Sequence, residues 1–152
     1  MTTHKWHISS SNTKQEWLDY YDLRWRILRK PWSQEKGTEK DKLEATSIHR
    51  IAIQDRQVVG VGRIHLLDQE TAQIRYMAVD PDFSGLGVGS AILLSLEDAV
   101  KAKNVNTVIL HSRESALNFY EQQGYSKVEK THVLYGDITH YLMNKTFRTQ
   151  NQ

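Results

Sequence analysis

The stretch from Val79 to Leu96, VDPDFSGLGVGSAILLSL, carries glycines at alternate positions, Gly85, Gly87 and Gly89, between a strand-like run and a helix-like one. The first amides of a helix have no main-chain partner, and the helix dipole adds positive potential at the same end. Alternate glycines let several consecutive amides turn toward one anion, so the spacing points to a phosphate cradle. Two familiar versions of that cradle are excluded. A P-loop needs Gly-Lys-Ser/Thr, and no lysine follows Gly89. A dinucleotide fingerprint needs glycine where Ser90 stands and an acid at the end of the next strand, where Leu110 and His111 sit.

The remaining inventory is narrow. The 152 residues include no cysteine, which removes disulfides, cysteine-based zinc sites and a thiol nucleophile and makes a cytoplasmic setting the expectation. Lys and Arg number 20 against 18 Asp and Glu, and they are interleaved, a pattern that argues against a nucleic-acid partner. The opening MTTHKWHISSSNTK lacks the apolar core of a secretion signal, and no run approaches the roughly 18 apolar residues of a membrane span. No metal site is expected.

The elements that must hold the glycine turn follow from periodicity. KWHIS (5–9) alternates as a short edge strand would. Thr13 and Glu16 have capping-box spacing, and Leu18, Tyr21, Trp25 and Leu28 share a face of the helix that follows, which Pro31 should end near Lys30. A polar loop over 31–46 leads to two strands, SIHRIAIQ and QVVGVGRIHLLD, joined by a tight turn. Gly60 and Gly62 are expected on the face opposite Val59 and Val61, where a missing side chain admits a neighbouring element. AQIRYMAV (72–79) is a strand before the glycine turn, and Ile92, Leu93, Leu96 and Val100 mark the helix after it. NTVILH reads as a strand buried on both faces. ESALNFYEQQ is a helix ended by Gly124, and two last strands meet at a Gly136-Asp137 turn. The expected architecture is α/β (α+β): one domain over 1–147 with a mixed sheet of six or seven strands, helices on both faces, and a disordered tail at 148–152.

MAVDPDFSGLGVGSAILLSLEDA resembles the acetyl-coenzyme A loop of the GNAT superfamily of N-acetyltransferases, whose signature is Arg/Gln-x-x-Gly-x-Gly/Ala. Gly87 and Gly89 match its small residues, while Ser84 stands in the Arg/Gln place. SALNFYEQQGYSKV resembles a second family motif through Ala116, Phe119, Tyr120, Gly124 and Tyr125, some thirty residues after the loop, as in the family. The resemblance implies a mostly antiparallel sheet splayed between its two central strands, and acetyl-coenzyme A as co-substrate. It implies a pantetheine arm along Met77, Ala78 and Val79 and a diphosphate on amides from Gly85 through Leu86, Gly87, Val88 and Gly89 to Ser90. The Ser84 departure implies weaker coenzyme binding on an intact backbone cradle, and Asn118 is a further candidate contact.

A neutral amine would attack the thioester directly, and Tyr120 matches the family tyrosine that gives a proton to the departing thiolate. Candidates for the base are Glu44, Tyr76, His111 and His140, with His111, at a strand end beside the splay, preferred. The acceptor is a small-molecule or peptide amine. Acids at Glu35, Glu39, Asp41 and Glu44 would suit a polyamine or lysine, and aromatics at Trp25, Trp32 and Tyr141 an arylalkylamine. The resemblance also makes a homodimer an expectation. The alternative function is a non-catalytic acyl-coenzyme A sensor.

Overall fold

The computed structural model describes residues 6–147; the tail expected over 148–152 and the start of the first expected strand lie outside the described residues. Seven strands form one sheet: β1 (His7–Ser9), β2 (Ile48–Gln54), β3 (Gln57–Leu66), β4 (Thr71–Val79), β5 (Thr107–Arg113), β6 (Ser126–Leu134) and β7 (Ile138–Thr146). Their spatial order is β1-β2-β3-β4-β5-β7-β6, and every pairing is antiparallel except β4 with β5. Helix α1 (Lys14–Leu28) covers one face over β3 and β4, and α2 (Val88–Lys101) covers the other over β2 and β3. The short α3 (Leu117–Gln122) sits between β5 and β6 in sequence and contributes Tyr120 to the α2-side core.

Local chemistry explains most boundaries. The capping box at α1 forms, with Thr13 Oγ1 accepting from the Glu16 amide at 3.0 Å and Glu16 Oε1 accepting from the Thr13 amide at 3.3 Å. The helix stops at Leu28, two residues before the expected end, because Pro31 draws Lys30–Trp32 into a 3-10 turn that closes on Ser33 at φ 58°. The last hairpin reverses at Tyr135 and Gly136, both at positive φ, one residue earlier than expected. Strand β5 is buried on one face only: Val108, Leu110 and Ser112 are covered, whereas His111 is exposed. Gly124 ends α3 at φ 96°, as the sequence implied.

Gly60 and Gly62 let α2 lie close to the sheet. A Cβ on Gly60 would stand 2.6 Å from Val88 Cγ1, and one on Gly62 2.7 Å from Ile92 Cγ2. Val61 faces α1 as expected, but Val59 joins the α2-side core, since the register with β2 shifts between Ala52 and Ile53 and turns Val59 over.

A second irregularity shapes β4. Ala72 and Ile74 belong to the α2-side core, yet Tyr76 and Ala78 belong to the α1-side core, although strict alternation would keep all four on one face. The switch occurs at Tyr76, which takes φ 60° where the β3 register slips between Val61 and Arg63. Beyond that point β4 leaves β5. The two strands pair only from Thr71 to Ile74 against Thr107 to Leu110, while β5 follows β7 as far as Arg113 opposite His140. A wedge therefore opens between Arg75–Val79 and His111–Arg113.

A polar strut ties α2 to β7 and to the residues that follow α3. Glu97 accepts from Tyr125 Oη at 2.8 Å and from Lys145 Nζ at 3.0 Å, and the same ammonium donates to the Gln123 carbonyl at 2.8 Å.

Candidate functional site

Two cavities meet at the wedge. The first, of about 430 Å³, lies over the start of α2. Its wall takes Met77, Ala78 and Val79 from β4, then Ser84, Gly85, Gly87, Val88, Gly89 and Ser90 from the turn, and Tyr120 from α3. Gly85 and Gly87 adopt φ 75° and 82° with open space where a Cβ would be, so backbone conformation rather than crowding demands glycine there. Gly89 is glycine for a different reason: a Cβ would come 3.2 Å from Phe119 Cζ.

No side chain caps α2, and Ala91 supplies its first hydrogen-bonded amide, to the Gly87 carbonyl at 3.1 Å. Among the described residues, the amides from Gly85 to Ser90 have no acceptor in the fold's turns, caps or side chains. The residues that carry them line the cavity, Leu86 excepted. The wall carries no charged side chain, so the donors available to an anion here are main-chain amides at the helix N-terminus and the hydroxyls of Ser84, Ser90 and Tyr120. Leu86 and Asn118 stand outside this wall: Leu86 packs against the core, and Asn118 is exposed on α3. Phe83, Ala116 and Phe119 complete it; only Phe119 and Ala116 had a sequence signal, through their motif.

The second cavity, of about 350 Å³, fills the wedge itself and shares Met77, Ala116 and Tyr120 with the first. Arg29, Arg75, Arg113, His111, His132 and His140 dominate its polar lining. The His132 and His140 rings stack at 4.4 Å, and His111 lies 5.6 Å from His132. Burial first, then the charge of His132 and of Arg75, pushes His111 below the usual histidine range. Burial likewise lowers His140, with His132, Arg113 and His111 adding to it against the opposing hydrogen bond of the Ile138 carbonyl at 3.0 Å. Both shifts favour the neutral imidazole, the form that can accept a proton. Among the described residues no group of three histidines or acids is arranged to hold a metal ion.

Tyr120 stands between the cavities, nearly buried, with its ring 5.0 Å from Phe119 and 5.9 Å from Tyr125. Burial raises its phenol well above the ordinary value, against a smaller lowering by Arg113. It stays protonated and available as a donor.

The other base candidates are differently employed. Glu44 accepts from Arg24 through both oxygens at 2.9 Å and from Arg63 at 3.0 Å. Burial would raise its carboxyl, but these bonds, the Asp41 amide and the two guanidinium charges outweigh it and hold Glu44 below its usual range. A carboxylate so engaged is a poor base, which corrects that expectation. Tyr76 lies under four guanidinium groups, the nearest being Arg24 at 3.7 Å from the ring centre. The acids expected to greet a cationic acceptor are mostly spent inside the fold: Asp41 pairs with Arg63 at 2.6 Å and Arg75 at 3.0 Å, and Glu39 Oε1 accepts from the Gly37 amide. Glu35 is exposed and lies outside the cavity.

A parallel-paired β4 and β5 thus splay beside a glycine turn that opens a helix. The model of the acetyltransferase (GNAT) family matches residues 17–125, and the chain belongs to that family. Among its relatives, the uncharacterized protein YyaT of Bacillus subtilis is 28% identical over 107 residues, 70% of this chain and 71% of that protein. An amino-acid acetyltransferase of Mycobacterium tuberculosis is 32% identical over 77 residues, 51% of this chain and only 43% of that protein's length. Among solved structures, an aminoglycoside 6'-N-acetyltransferase complexed with coenzyme A superposes with a TM-score of 0.78 at 17% identity, covering 92% of this chain and 96% of that one. That likeness is one of fold. No helix among the described residues is long and apolar enough to cross a membrane.

Proposed function

We propose that the chain transfers an acetyl group from acetyl-coenzyme A to a primary amine by direct attack, with the described residues acting as one catalytic unit. The observation that carries this reading is the run of unpartnered amides from Gly85 to Ser90, opening on an uncharged cavity that joins a second cavity at Tyr120. Family membership makes the chain an acyltransferase, and the coenzyme A bound to the solved relative supports the donor assignment.

In this reading the diphosphate rests on the amides of the turn. The pantetheine arm runs along Met77, Ala78 and Val79, whose β5-facing backbone edge the splay leaves unpaired, as an added strand would. The thioester then reaches the wedge. The amine enters the second cavity as an ammonium ion and passes one proton to His111, directly or through water, which leaves the neutral nucleophile. The amine nitrogen bonds to the thioester carbon, and a main-chain amide near Met77 stabilises the oxyanion. As the carbon–sulfur bond breaks, Tyr120 gives its proton to the thiolate, the proton shed by the newly acylated nitrogen returns to the phenolate, and N-acetylated product and free thiol leave. A phenol is protonated at neutral pH and has the proton that step needs, although the burial that raises Tyr120 makes it a weaker acid.

The test is release of free coenzyme thiol from acetyl-coenzyme A over a panel of primary amines. Amine-dependent release is the expected result. Stabilisation by coenzyme A with no release on any amine would contradict transfer.

A further inference from the structure

Resting on the reading that the wedge cavity receives the amine, we propose that the acceptor also carries an anionic group, a carboxylate or a phosphate, held by Arg113 with Arg29 beside it. The cavity wall contains three arginines and three histidines and no aspartate or glutamate. Behind it, the fully buried Arg24 and Arg63 are matched by Glu44 and Asp41, and Asp41 also takes Arg75. Two carboxylates thus serve three guanidinium groups. None is left for Arg29 or Arg113, neither of which has an acidic partner among the described residues.

The two differ in how far they are satisfied. Arg29 donates to the Thr38 carbonyl at 3.0 Å and to the Leu28 carbonyl at 3.1 Å, which fixes its place and leaves one terminal nitrogen. Arg113 is the half-buried last residue of β5; its carbonyl accepts from Ser112 Oγ at 2.8 Å, while its guanidinium has no hydrogen-bond partner among the described residues. Burial, and then the charge of Arg29, lowers it from the ordinary arginine value, as expected of a cation short of counter-charge. Burying an unpaired guanidinium is costly, and a ligand oxyanion relieves that cost with a geometry arginine favours.

The same charge bears on the amine. A wall of net positive charge disfavours the ammonium form, so it promotes the nucleophile and disfavours a polycation that has nowhere to put its remaining charges. An acceptor with one amine and one anionic group meets both conditions, and a cavity of about 350 Å³ suits a small molecule.

The test compares matched acceptors with the full chain: free amino acids against their carboxamides, glucosamine 6-phosphate against glucosamine, and spermidine as a polycation. The expected result is a kcat/KM at least tenfold higher for the anionic member of one pair, and that pair says whether carboxylate or phosphate is read. Arg113→Gln should raise KM for that acceptor about tenfold, with kcat within threefold, and shrink the difference within the pair. Arg113→Lys should keep part of it, and Arg29→Gln should reproduce it more weakly. Equal or faster turnover of the neutral members or of spermidine overturns the proposal. Thermal shift in saturating coenzyme A gives a readout that does not need turnover. Stabilisation by the anionic member, lost in Arg113→Gln, supports the anion site even if no thiol is released, and its absence with every anionic probe overturns it. Failure of acetyl transfer is then a separate result.

Discussion

The cavities proposed for the donor and for the acceptor share Tyr120, Met77 and Ala116 but are built from different materials. Around the turn from Ser84 to Ser90 the wall is backbone, apolar side chain and two serine hydroxyls with no charge, and in the proposed reading recognition falls mainly to amides that the helix cannot pair with itself. Across Tyr120 the wall is side chain and charge, with guanidinium groups from α1's end, β4 and β5 and imidazoles from β5, β6 and β7. A backbone site suits a ligand part that never changes. A site of separately replaceable side chains suits the part that differs from one acetyltransferase to another. Substitutions should therefore split into donor effects and acceptor effects, except at the shared wall.

Tyr120→Phe, on that shared wall, should give the largest change. Loss of a general acid costs about a hundredfold or more in kcat, and coenzyme affinity, read by calorimetry, should stay within about twofold because the hydroxyl is not part of the amide cradle. Equal loss of both would erase the distinction between chemistry and binding at this residue.

Gly87→Val comes next and should act on the donor alone. Gly87 sits at φ 82°, and forcing a side chain into that region costs on the order of 1–2 kcal/mol. Coenzyme affinity should weaken by about tenfold, with acceptor KM unchanged. A matching rise in acceptor KM would show that the cavities are not independent.

Ser84→Arg tests the same site from the other side. Ser84 is exposed on the cavity wall where the family carries Arg or Gln, and a solvated cation beside a phosphate is worth about 0.5–1 kcal/mol. Coenzyme A should bind about threefold tighter, and more so at low salt.

The smallest expected effect is on stability against pH. Burial leads the lowering of His49, His65, His111 and His140 below 6.5. A histidine whose folded value lies below its unfolded one resists protonation in the fold, so stability is complete above about pH 6.5 and declines as pH drops through that value. The carboxylates act in the same direction at lower pH: Asp41 and Glu44 are both lowered, so their contribution is full above about pH 4.5 and is lost on further acidification. The melting temperature should fall by a few degrees between about pH 7.5 and 5.5, a window in which only the histidines change. A flat profile there would remove the claim that the acceptor wall holds neutral imidazoles.

The same contrast explains what the sequence disclosed. The glycine turn is contiguous, its chemistry resides in main-chain amides, and three residues in six suffice to mark it. Gly60 and Gly62 were legible for a related reason, since a missing Cβ beside an apolar helix has one economical explanation. The acceptor wall was opaque because its members come from distant elements and their meaning depends on pairing. Glu44 and Asp41 looked like free acids near a cationic substrate until Arg24, Arg63 and Arg75 were seen to hold them. Arg113 and His132 drew no attention in the sequence, as neither sits in a motif. The face switch at Tyr76 was equally hidden, because a bulge is set by cross-strand register rather than by the residue that carries it.

The central claim is that main-chain amides, not cationic side chains, hold the donor's diphosphate. Amide resonances followed during titration with coenzyme A test it most directly. The account predicts that the amides from Gly85 to Ser90 shift downfield together and become protected from exchange, while the guanidinium signals of Arg29, Arg75 and Arg113 stay in place. Unmoved amides in this turn at saturating coenzyme A, with those arginines shifting instead, would contradict it.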